Sequence, residues 1–149
     1  MKPLVFLDVD GVVNDLEGRP GPARIFESHG YMIRIPEDII IPVQKLVEHN
    51  EVMWLTTWRE NANEDIRKVL GIPLLEVITD GTTDRYVGWK WKAALTPATR
   101  ALNQGRHVWW IEDFYGHQPT EPSAVYGHER FHFIDTWGSL QPHHLHPLT

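Results

Sequence analysis

The stretch Pro3-Leu-Val-Phe-Leu7, followed at once by Asp8-Val-Asp-Gly11, is apolar without interruption and then abruptly acidic. A short run with no polar alternation reads as a strand covered on both faces, as in a parallel sheet. Gly11 marks a turn at its carboxyl end. The same grammar recurs down the chain. Glu51-Val-Met-Trp-Leu55 runs into Thr56-Thr57-Trp58, His107-Val-Trp-Trp-Ile111 into Glu112-Asp113, and Arg130-Phe-His-Phe-Ile134 makes a fourth strand. A shorter strand is expected at Leu74–Ile78. Between the strands, helices are expected over Pro42–His49, Asn61–Leu70 with Gly71 as its stop, and Trp91–Asn103, with a short helix at Gln141–Leu145. Ala23–Ile35 reads as a hairpin turning at His29-Gly30. Strands separated by helices specify an α/β fold with a mainly parallel sheet.

The 149 residues carry 14 basic and 20 acidic side chains, a formal charge of −6, and no cysteine. Disulfide staples, zinc–thiolate sites and thiol catalysis are therefore excluded. Neither half is basic, which argues against tight nonspecific nucleic-acid binding. No apolar run is long enough for a signal-peptide core or a membrane span, so the expectation is a cytoplasmic protein with no membrane partner.

In open α/β sheets ligands bind beyond the carboxyl ends of the strands, and here those ends carry Asp8 and Asp10, Thr56 and Thr57, and Glu112 and Asp113. Four carboxylates in one crevice would repel and force some to hold protons. A hard cation removes the conflict, and Mg²⁺, which needs only one or two carboxylates and keeps several waters, suits the set. A hydroxyl and an ammonium, from Lys90 or Lys92, add donors for a multi-oxygen anion. Carboxylate nucleophile, Mg²⁺, hydroxyl and lysine together suit phosphoryl transfer.

At these residues the chain resembles the haloacid dehalogenase (HAD) superfamily. Phe6-Leu-Asp-Val-Asp-Gly-Val-Val-Asn14 is similar to its first motif, Val52-Met-Trp-Leu-Thr56 to its second, a Lys on the helix before the last motif to its third, and Val108-Trp-Trp-Ile-Glu-Asp113 to its acidic fourth. Trp54-Leu-Thr-Thr-Trp58 with Asn61-Ala-Asn63, and the tail Asp135–Leu140 with His143, resemble short, nearly capless members. The resemblance implies a Rossmann-like three-layer sandwich spanning residues 1–149 as a single domain, with a hairpin flap at 15–36 in place of a full cap. It implies Asp8 as nucleophile and metal ligand, and Asp10 as general acid and then base, with its carbonyl on Mg²⁺. Thr56, or Thr57 if the strand ends one residue later, would bind a phosphoryl oxygen. Lys92 is the first choice for the lysine and Lys90 the second; on a helix the two point about 200° apart, so only one can serve. Glu112-Asp113 departs from the paired Asp of the nearest look-alikes, so Asp113 is the preferred metal carboxylate, while Glu112, one methylene longer, can still ligate Mg²⁺ directly or through water. The second Asp of the first motif disfavours dehalogenation.

The implied activity is Mg²⁺-dependent phosphatase hydrolysis of phosphomonoesters, the substrate a phosphorylated small molecule or nucleotide. Processing of phosphate at nucleic-acid ends, as in RNA or DNA repair, is the alternative, with a non-catalytic phosphate- or protein-binding module as the third reading. The four acids at the strand ends are part of the 20, so the remaining surface is nearer neutral and polymer ends are less strongly excluded than the total charge implies. His143, His144 and His146 read as a solvated tail rather than a metal site, and Trp58 is placed to line the crevice and stack on a substrate ring.

Overall fold

A computed structural model describes residues 1–81, 88–119 and 124–149. Seven strands are present among them: β1 (Leu4–Leu7), β2 (Ala23–Ser28), β3 (Tyr31–Pro36), β4 (Glu51–Trp54), β5 (Glu76–Val77), β6 (Val108–Glu112) and β7 (Phe131–Asp135). The helices are α1 (Ile40–His49), α2 (Asp65–Leu70), α3 (Trp89–Ala93) and α4 (Leu95–Asn103), with 3-10 segments at Glu37–Ile39, Arg59–Asn63 and Pro142–Leu148. Five strands form one parallel sheet in the order β5-β4-β1-β6-β7, and β2 and β3 form a separate antiparallel pair.

β1 is central because its four residues are apolar on both faces. Side chains alternate across a strand, so Val5 and Leu7 enter one core layer and Leu4 and Phe6 the other. The first layer joins them to Val52 and Trp54, α1, α2 and the C-terminal segment; the second joins them to Met53, Trp110 and the α3–α4 side. All four residues of β1 are at most 2% exposed. Each contributes roughly 1.5–3 kcal/mol relative to leaving it in water. The result is the expected three-layer α/β arrangement, with β1 between β4 and β6 at the point where successive connections run to opposite sides.

The hairpin turns at His29 (φ 51) and Gly30 (φ 82), both left-handed, as a two-residue turn matched to strand twist requires. It is bound into the body: Ile33 and Ile35 lie in the first core layer, 1% and 0% exposed. At its tip Ser28 Oγ donates to Asp65 Oδ2 at 2.8 Å, and His29 Nε2 lies 2.5 Å from Glu64 Oε2.

Three expectations change. The helix read over Asn61–Leu70 is split at Glu64 (φ −93, ψ −110) into a 3-10 turn and α2. The cause is Asn63, whose amide is engaged away from the helix: its Oδ1 accepts from Trp54 Nε1 and the Leu75 N–H, and its Nδ2 donates to the Leu75 carbonyl at 2.7 Å. The helix read from Trp91 starts two residues earlier, at Trp89, and breaks at Ala94. Pro97 has no N–H to continue the ladder but is tolerated in the first turn of α4. The C-terminal segment is folded onto the body by Leu145 and Leu148, buried in the first core layer, and by Asn50 Nδ2 donating to the Leu148 carbonyl at 3.0 Å, while His143 and His146 stay exposed and His144 is half-buried. Among the described residues no helix is long and apolar enough to cross a membrane.

Candidate active site

Parallel pairing sets Leu7 opposite both Trp54 and Ile111, so the residues that follow the three strands emerge at one edge of the sheet. Asp8 is only 5% exposed, and its Oδ1 accepts the Val9 N–H at 2.7 Å. The chain then coils into one tight turn. The N–H groups of Val12 and Asn14 donate to the Val9 carbonyl, and the Gly11 N–H donates to the Asn14 carbonyl, while Val9, Val12 and Val13 are fully buried beneath. Gly11 sits at φ +76, and a Cβ there would fall 2.1 Å from Asp113 Oδ2. The glycine of the first motif is therefore what lets the carboxylate after β6 close against the loop after β1. Thr136, beyond β7, donates its hydroxyl to the Gly11 carbonyl at 2.6 Å and fixes the turn from the far side.

Lys90, on α3, reaches this edge. Its Nζ stands 3.0 Å from Asp8 Oδ2 and 2.5 Å from Glu112 Oε1. Burial alone would push the ammonium's pKa down, but the Asp8 and Glu112 charges outweigh it and raise it, so Lys90 is a permanent cation. Burial and the facing Asp8 charge push Glu112 up to about 7 despite the lysine, and the same two causes push Asp113 up to about 6. Lys92 is elsewhere, exposed beside a groove with Glu76, Asp80 and Arg100 along the β5 edge. The separation of the two lysines is the one helix geometry demands.

Asp10 is held on both oxygens. Asn14 Nδ2 donates to Oδ1 at 2.9 Å and Trp58 Nε1 to Oδ2 at 3.0 Å. Asn14, 6% exposed, in turn accepts the Arg34 N–H at 2.9 Å, which ties β3 of the hairpin to the acid. Arg34 also pairs with the buried Asp15 carboxylate. Thr56 is fully buried, and its Oγ1 accepts the Trp58 N–H at 3.2 Å, closing the turn that presents the indole. Thr57 faces a cavity of about 160 Å³ that it lines with Asp10, His29, Tyr31, Trp58 and Asn61.

The structure thus brings Asp8, Lys90, Glu112 and Asp113 to one edge, with Asp10 beside them and Thr57 on the adjoining cavity. Sequence reasoning missed Asn14 as a support for Asp10, although it lies inside the quoted first motif; it quoted Asn61 and the His29 turn without giving either a place at the site, and it missed Tyr31. A local pattern cannot reveal them, because they meet Asp10 only once the hairpin docks on the turn after β4.

The oxygen donors fit a hard divalent cation. Asp8 and Asp113 face each other with too little positive charge between them, which is why burial and repulsion raise Asp113, and Lys90 engages Glu112. Among the described residues no three His, Cys, Asp or Glu side chains converge as a ready cage. A dense cage is not what Mg²⁺ needs, since it takes one or two carboxylates and fills its octahedron with carbonyls and water.

A protein-family model described as the HAD domain in Swiss Army Knife RNA repair proteins matches residues 4–140, from the first residue of β1 to five residues beyond β7. No curated protein matches, and no solved structure does.

Proposed function

The chain belongs to the HAD family of the Swiss Army Knife RNA repair proteins, and from that membership we propose a Mg²⁺-dependent phosphatase that works through an aspartyl-phosphate on Asp8. The observation that carries the reading is the pairing of a buried Asp8 with the Lys90 ammonium 3.0 Å away, beside an Asp10 whose two oxygens are both held. Asp8 attacks phosphorus and the ester P–O bond breaks. Asp10 gives its proton to the departing oxygen, then takes one from the water that attacks the phosphoryl group, releasing inorganic phosphate and regenerating Asp8. Lys90 neutralises charge on the phosphoryl oxygens, and the Thr57 hydroxyl, on the same edge, is the donor we assign to one of them. Buried Thr56 holds the turn. Asp8, Asp113 and the Asp10 carbonyl are the groups we assign to the metal, which when bound supplies positive charge to the transferring phosphoryl group. Glu112 keeps Lys90 charged and in place.

The description of the family supports a substrate among the phosphate ends of nucleotides or RNA. Hydrolysis of an aryl phosphate with Mg²⁺, against EDTA and against Asp8→Asn, tests the chemistry. Equal rates for parent and variant would remove Asp8 as nucleophile. Phosphate release from 3′- and 5′-phosphorylated oligoribonucleotides then tests the substrate: release from neither, with aryl phosphate still cleaved, would return the reading to small phosphomonoesters.

A further inference from the structure

Beside Asp10, the hairpin tip and the turn after β4 form the walls of the cavity of about 160 Å³. Three rings meet there. Trp58 is pinned by its Nε1 bond to Asp10 Oδ2, so the indole cannot turn away. Tyr31 approaches it with ring centres 5.8 Å apart at 64°, and His29 at 6.3 Å and 78°. Tyr31 is 65% exposed, so core packing does not account for its position. Asn61 and Thr57 bring polar groups to the same wall.

We propose that this cavity is a nucleobase subsite: the base of the nucleotide that carries the scissile phosphate packs face-on against one of Trp58 and Tyr31 and edge-on against the other, as their 64° angle requires, while the phosphate lies at Asp8 and Lys90. The proposal rests on the phosphatase reading for where the phosphate sits. Size favours a single flat ring system, since an apolar cavity of about 150 Å³ admits benzene. Composition favours a base over an acyl chain or a sugar. Aromatic faces stack on any base, and the Asn61 amide offers both a donor and an acceptor for a base edge. An acyl chain would leave that amide unused, and a sugar would leave the Trp58 and Tyr31 rings without a flat partner. The ties from Ser28 to Asp65 and from His29 to Glu64 hold the hairpin tip where it is. The subsite is therefore formed before the ligand arrives, and little ordering is lost on binding. Since stacking is tolerant of base identity, the preference is for having a base at all rather than for one base.

The test compares esters that differ in the base. We expect kcat/KM for adenosine 5′- or 3′-monophosphate to exceed that for ribose 5-phosphate by about tenfold, the scale of one stacked base. Tyr31→Ala should bring that ratio close to one, and Tyr31→Phe should restore it. Thermal unfolding checks that the exposed position leaves the fold intact. Equal kcat/KM for nucleotide and sugar phosphate in the parent, or an equal loss on both in Tyr31→Ala, overturns the base subsite and leaves the phosphatase standing. Hydrolysis of no ester at all would count against the phosphatase reading instead. The subsite is then read by calorimetry on the Asp8→Asn variant. Binding of adenosine monophosphate about tenfold tighter than ribose 5-phosphate, lost with Tyr31→Ala, supports it; equal affinities overturn it.

Discussion

Lys90 stands 3.0 Å from Asp8 and bonds Glu112 at 2.5 Å with the same nitrogen, so one cation serves Asp8 and the last residue of β6 together. Its removal should leave Asp8 and Glu112 facing each other uncompensated. Lys90→Met is expected to lower kcat on an aryl phosphate by about 10²–10³, the usual cost of deleting one donor to the charge that develops in the transition state. Lys92→Met, on the far groove, should stay within about twofold. A steady-state comparison of the two decides it, and the reverse ranking would assign the role to Lys92.

Gly11 leaves room for Asp113. Gly11→Ala forces a Cβ to within 2.1 Å of Asp113 Oδ2 at a backbone φ of +76. The left-handed conformation alone costs a non-glycine residue about 1–3 kcal/mol. Urea unfolding should show a loss of about 2 kcal/mol, and phosphatase activity should fall further than stability accounts for, because Asp113 is displaced. A variant as stable and active as the parent would contradict this contact.

Asn14 and Trp58 hold the two oxygens of Asp10. If Asp10 is the acid, its loss matters most where the leaving oxygen needs a proton. Asp10→Asn should lower turnover of an alkyl phosphate by about 10²–10⁴, the span of general acid catalysis, and that of a nitrophenyl phosphate much less. Asn14→Ala should show the same leaving-group pattern in weaker form. A uniform loss on both esters would make Asp10 a binding group only.

The two acids at the carboxyl end of β6 give a pH signature. Asp113 is pushed up to about 6 from 3.8, and Glu112 to about 7 from 4.5, by burial and by Asp8. A carboxyl whose folded pKa lies above its unfolded value stabilises the protein below the unfolded pKa, and that contribution is lost as pH rises through the folded one. Without metal, the parent should therefore lose Tm relative to Asp113→Asn between about pH 4 and pH 6. Mg²⁺ binds the ionised form, so it should raise the parent's Tm more at pH 7.5 than at pH 5 and do little for the variant. Identical Mg²⁺ shifts in both proteins would place the ion elsewhere.

The sheet was legible in the sequence because the runs Leu4–Leu7, Val52–Leu55 and Val108–Ile111 are apolar without interruption, a pattern that one-sided strands lack. The acids were legible because each follows such a strand directly. The choice of lysine was not, since it turns on where α3 starts: beginning at Trp89 rather than Trp91 brings Lys90 onto the helix, and its side chain reaches the site while that of Lys92 does not. Thr56 looked like the phosphate group because it ends the apolar run, yet its hydroxyl closes a turn inside the protein and Thr57 meets the cavity. Nor could Tyr31 have been found, because nothing local says that the hairpin tip leans on α2 through Glu64 and Asp65.

The hairpin's inner residues, Ile33 and Ile35, belong to the same core as β1 and β4, while Tyr31, on the same face at the tip, and Ile25 and Met32, on the opposite face, are exposed to water. Positions along one ribbon, at its base and at its tip, thus answer to different demands. An evolving lineage could change what the exposed positions touch without unsettling the fold, but could not exchange the whole ribbon for another without rebuilding the first core layer. On the proposed reading, selectivity is free to drift one side chain at a time, and the edge that holds Asp8 and Lys90 need not move with it.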